Sequence, residues 1–65
     1  MSRQFAKAVK AFVDAGDLTI ADLKVKTGLS ETTCRQFVKE LEEVGLLEAD
    51  KSSEPYIYEW KGGDE

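Results

Sequence analysis

Leu18-Thr19-Ile20-Ala21-Asp22-Leu23-Lys24-Val25-Lys26-Thr27-Gly28-Leu29-Ser30 decides the reading of this chain, because it holds the start of one helix, its end and the start of the next. Thr19 is a residue that caps helices, and Asp22 three positions later can answer it in a reciprocal capping box. Ile20, Leu23 and Thr27 then fall on one face. Gly28 supplies a permissive backbone for stopping the helix, Leu29 an apolar plug, and Ser30 the next N-cap. Two helices therefore meet at a tight turn.

On the N-terminal side, Phe5, Ala8, Val9, Phe12 and Val13 recur at the spacing of an amphipathic helix. Ser2 can cap its start and Gly16 sits where a terminating residue is wanted. Arg3, Lys7 and Lys10 form its outer row and read as a solvated face. On the C-terminal side a longer helix runs from about Glu31 to Val44, with Cys34, Phe37, Val38, Leu41 and Val44 expected inside, and Gly45 ends it. Leu46 to Ala49 and Tyr56 to Trp60 read as two strands of a hairpin around Asp50-Lys51-Ser52-Ser53-Glu54-Pro55. Tyr56, Tyr58 and Trp60 alternate onto one face of the second strand and serve mostly as core. Lys61 to Glu65 reads as a flexible tail, so one domain fills residues 1–65 with an ordered core over about 3–60.

Composition narrows the function classes. The single cysteine, Cys34, has no disulfide partner, and without histidine no Cys/His zinc cluster can form. Its inward helical position makes it a small core residue. No serine or cysteine has an evident activating base, so the chain is not expected to be an enzyme, and no cofactor is indicated. No stretch approaches the roughly 20 apolar residues of a membrane span, and the N-terminus lacks a secretory core, which leads to an expected cytoplasmic setting without membrane contact. The net charge of −4 looks unpromising for nucleic acid, but its distribution matters more. Residues 1–39 carry seven Lys/Arg against four Asp/Glu, and residues 40–65 carry two against nine. A basic surface therefore survives on the first part.

This order of elements, mainly α with a small β-hairpin, resembles the winged helix-turn-helix domains of MarR-like and IclR-like regulators: three helices plus a wing of two or three strands. The resemblance spans about Phe5 to Trp60. Its specific pieces are Leu18 to Leu23, Thr27-Gly28-Leu29-Ser30, and Phe37-Val38-Lys39-Glu40-Leu41-Glu42-Glu43-Val44-Gly45-Leu46-Leu47. One departure is Lys24, where the family usually has a small residue that lets the helices approach.

The resemblance implies a DNA-binding transcriptional regulator with its third helix in the major groove. Thr32, Arg35, Gln36 and Lys39 then form the outward row. Arg35 suits guanine, Gln36 adenine, and Thr32 or Thr33 a thymine methyl or a phosphate. Ser30 and the amides at the helix start suit a phosphate oxygen, with Lys24 and Lys26 beside them and Lys51 at the wing. The bland alternative is that this row is the solvated half of an amphipathic helix. Against it stands the lack of acidic residues between Thr32 and Lys39. Glu31 cuts the other way, sitting where a phosphate approaches while also complementing the helix dipole. Double-stranded DNA is the expected partner, bound by a homodimer joined through the first helix or the aromatic hairpin. The rival reading is a protein-interaction winged helix that docks through its acidic C-terminal half and aromatic hairpin.

Overall fold

The computed structural model describes residues 2–63. Helix α1 spans Arg3–Ala15, strand β1 Asp17–Leu18, helix α2 Ile20–Thr27, helix α3 Glu31–Glu43, and strands β2 and β3 Leu47–Asp50 and Ile57–Trp60. Each helix begins with the cap that its sequence offers. The Ser2 hydroxyl accepts from Phe5 N, Thr19 and Asp22 form a complete capping box, and Ser30 accepts from Thr33 N. These bonds satisfy amides that a helix start otherwise leaves without partners.

Gly28 makes the turn between α2 and α3. Its φ of 74° lies in the left-handed region, which a residue with a Cβ enters only at a cost. Thr27 reinforces the corner: its hydroxyl donates to Leu23 O at 2.7 Å and accepts from Leu29 N at 3.2 Å. One side chain thus ties the last turn of α2 to the plug residue.

The three strands form an antiparallel sheet in the order β1-β3-β2. The wing therefore has three strands, the third being the two-residue β1 directly after α1. Leu18 lies opposite Tyr58 and Ala49 lies opposite Tyr58 from the other side, while Trp60 pairs with Leu47. Trp60 N donates to Gly16 O at 2.7 Å, closing the sheet onto the end of α1.

The core gathers Ala8, Ala11 and Phe12 of α1, Leu18, Leu23 of α2, Cys34, Val38 and Leu41 of α3, and Leu47 and Tyr58 of the sheet. The buried face of α1 is centred on Ala8, Ala11 and Phe12, with Phe5, Val9 and Val13 at its margins. Phe37 is half-buried and meets Phe5 edge-on, ring centroids 5.1 Å apart. Such a pair is favourable because a positive ring edge faces a negative ring face.

One expectation is corrected. Val44 is not inside; it is 69% exposed. α3 stops at Glu43, and the turn at Gly45, φ 84°, lets Leu46 N donate to Leu41 O at 2.9 Å. Leu46 packs against the core, as Val44 does not. The start of the tail, read from the sequence as flexible, makes defined contacts. Lys61 N donates to Leu46 O at 2.8 Å, and the Trp60 indole N–H donates to Gly63 O at 2.7 Å. Lys61 also reaches Glu59 and Glu48 at 3.3 and 3.4 Å, which raises its pKa above the ordinary lysine value. Gly62 lies so close to Trp60 that a Cβ there would fall 2.6 Å from the ring. The remainder of that tail, Asp64 and Glu65, lies outside the described residues.

Candidate nucleic-acid interface

The geometry of α3 follows from which residues anchor it. Cys34, Val38 and Leu41 are buried, and the opposite side of the helix carries Thr32, Arg35, Gln36 and Lys39, all exposed. The helical period makes these four one continuous ridge. Its length, 13 residues, corresponds to about 20 Å at 1.5 Å per residue.

At the head of the ridge Ser30 is exposed and Thr33 half-buried. The Ser30 hydroxyl donates to Thr33 Oγ1 at 3.0 Å, so these two side chains are engaged with each other at the helix start. Arg35 donates through Nε and Nη2 to Glu31 Oε2, at 3.0 and 2.9 Å. The second carboxylate oxygen, Oε1, lies 3.5 Å from Lys24 Nζ. Glu31 thus joins a cation of α2 to a cation of α3. Its pKa is lowered from the ordinary 4.5, first by the hydrogen bonds and charge of Arg35 and then by Lys24. Lys24 is half-buried, and its ammonium reaches Glu31.

The other sequence-selected cations lie elsewhere. Lys26 is two residues from Lys24 and points to a different side of α2, as a helix requires. It lines a groove with Lys7, Lys10, Ala11, Asp14 and Thr27, where Lys10 pairs with Asp14 at 3.2 Å. Lys51 stands at the wing loop with its Nζ 5.7 Å from the centroid of the Tyr56 ring. Asp50 begins that loop by accepting from Ser52 N and Oγ at 3.0 and 2.6 Å, and these bonds lower its pKa.

The fold brings α3 and the wing together around a cleft of about 400 Å³ whose lining includes Ile20 and Lys24 of α2, Glu31 and Arg35 of α3, and Tyr56 and Tyr58 from the hairpin. Burial raises the pKa of Tyr58. The i,i+4 spacing of Glu31 and Arg35 was a signal for their pairing; the contact with Lys24 crosses between elements and had none.

The arrangement is a polar, partly basic helix face, presented at a Gly-centred corner and flanked by a hairpin. Residues 7–48 match the family described as winged helix-turn-helix DNA-binding. The chain belongs to that family. As a winged helix-turn-helix domain it also resembles, in fold, the structure of a MarR family protein from Bacillus stearothermophilus, with a TM-score of 0.79 and 21% identity. The match covers 95% of this winged-helix chain and 44% of the other, so the chain spans less than half the length of that protein. No curated protein sequence gives a match. No helix among the described residues is long and apolar enough to cross a membrane.

Proposed function

We propose that this winged helix-turn-helix domain is a transcriptional regulator that binds double-stranded DNA with α3 in the major groove. The observation that carries the proposal is the ridge Thr32, Arg35, Gln36 and Lys39, exposed and with no acidic residue between Thr32 and Lys39, on a helix anchored from behind by Cys34, Val38 and Leu41. In this geometry Arg35 and Gln36 read base edges, Thr32 meets a methyl or a phosphate, and Lys39 meets the backbone. Ser30, Thr33 and the first amides of α3 hold a phosphate, Lys24 flanks them, and Lys51 gives the wing one backbone contact. Lys26, in the groove with Lys7 and Lys10, belongs to the outer margin of such a footprint. A module of this size makes few phosphate contacts, so binding as a homodimer to a two-fold site completes the proposal.

A second reading, docking onto a protein through the acidic C-terminal half, is favoured by Val44, which is exposed among Glu40, Glu42 and Glu43.

Fluorescence anisotropy on a labelled duplex of mixed sequence tests the first reading. Arg35→Ala and Lys39→Ala are each expected to weaken retention at low salt, Arg35→Ala by about 1–3 kcal/mol where a preferred base is present. Unchanged binding by both variants would refute a DNA role for this ridge.

A further inference from the structure

Glu31 is an anomaly on a face read as meeting DNA. It stands in the first turn of α3, where a phosphate would be drawn to the helix start, and its charge opposes that approach. Exposed ion pairs contribute little to stability, so the pairing with Arg35 is poorly explained as a staple of the fold. Its geometry offers another explanation.

The carboxylate takes the side edge of the guanidinium, through Nε and Nη2. A group that merely neutralised Arg35 would do as well on the terminal fork, between Nη1 and Nη2. Here Nη1 has no hydrogen-bond acceptor among the described residues, and Nη2 is bonded only to Glu31 on its Nε side. The terminal fork is the end of an arginine that matches guanine O6 and N7 in the major groove. Lys24 Nζ lies against the other carboxylate oxygen, so the acceptor is held from α2 while it holds Arg35 on α3. Arg35 follows Glu31 by one helical turn, and side chains on a helix lean toward its N-terminus. That lean carries the guanidinium to the end of α3 that enters a groove first.

We propose, resting on the DNA-binding reading above, that Glu31 is a positioning residue: it holds the Arg35 guanidinium by its Nε and Nη2 edge and leaves Nη1 open, which selects guanine at one position of the site and disfavours unspecific phosphate contact. Specificity and affinity then move in opposite directions when Glu31 is removed. Arg35 gains the freedom to reach phosphates, Lys24 loses its internal partner, and a negative charge leaves the interface.

The test uses the full chain and a duplex pool with a randomised centre, selected on the wild type, Arg35→Ala, Glu31→Ala and Glu31→Gln and then sequenced. Anisotropy on a mixed-sequence duplex is measured alongside it. Wild type is expected to enrich guanine at a position where Arg35→Ala does not. Glu31→Ala should lose on the order of tenfold of that preference. The same variant should bind the mixed duplex about threefold more tightly at low salt, with a salt slope steeper by about one. Glu31→Gln keeps the length and an acceptor oxygen, and should retain more of the guanine preference than Glu31→Ala while sharing its tighter mixed-duplex binding. Full guanine enrichment by Glu31→Ala overturns the proposal and leaves the DNA reading standing. So does a guanine preference that survives Arg35→Ala. A wild type that retains no duplex removes both.

Discussion

The Glu31 carboxylate offers a direct readout at the scale of a single residue. Because its pKa is lowered by Arg35 and Lys24, its folded-state titration falls below the ordinary value of 4.5. A depressed carboxylate contributes stability that is complete above its unfolded pKa and is lost as pH falls through the folded one. Side-chain carbon shifts recorded against pH should therefore place the Glu31 midpoint under 4.5 in the wild type and move it upward in Arg35→Ala. An unmoved midpoint would mean that the contact does not persist in solution. Thr19 allows a second residue-level test. Thr19→Ala removes the acceptor for Asp22 N and one side of the capping box, a loss of about 1 kcal/mol. For a domain this small, thermal unfolding followed by circular dichroism should show a midpoint lower by about 4–8 °C.

Elements show where the sequence was readable and where it was not. α1, α2, α3 and the hairpin were legible because their signals are local: Thr19 with Asp22, Ser30 before an apolar-periodic run, Gly28 and Gly45 after one. The outward ridge of α3 was legible because it is the complement of Cys34, Val38 and Leu41 under a fixed helical period. β1 was not, since Asp17 and Leu18 become a strand only by pairing with Glu59 and Tyr58, some forty residues away. Val44 lies about 90° from the centre of the stripe set by Cys34, Val38 and Leu41 at 100° per residue, a margin where the period leaves burial open. The corner itself can be tested. A Cβ at Gly28 would meet nothing within 4 Å, so the effect of Gly28→Ala is confined to the backbone, about 1–2 kcal/mol for an L-residue held in the left-handed region. Urea titration should show a lower midpoint with an unchanged slope. Leu23→Ala, at a site with no exposed surface, removes about 2–5 kcal/mol. A single core of this size supplies little more than about 3–5 kcal/mol, so that variant should show largely unfolded circular dichroism at room temperature.

For the molecule as a whole, charge is the property that separates the two functional readings. The chain carries −4 overall, and the acidic side chains concentrate after residue 39. A DNA complex formed through α3 and Lys51 should nevertheless weaken with salt, with a logarithmic slope of about −3 if roughly three cations meet phosphates. Retention that is flat in salt would favour the protein-docking reading. The sheet order adds a constraint in time. Synthesis runs from β1 through β2 to β3, yet β3 is the strand that lies between the other two. A nascent chain halted in the wing loop thus has Leu18 and Leu47 facing an empty slot, two raw edges without the ribbon that joins them. Helices can form as they emerge from the ribosome, but the sheet must wait for β3, and until then the half-made domain is a substrate for chaperones and proteases.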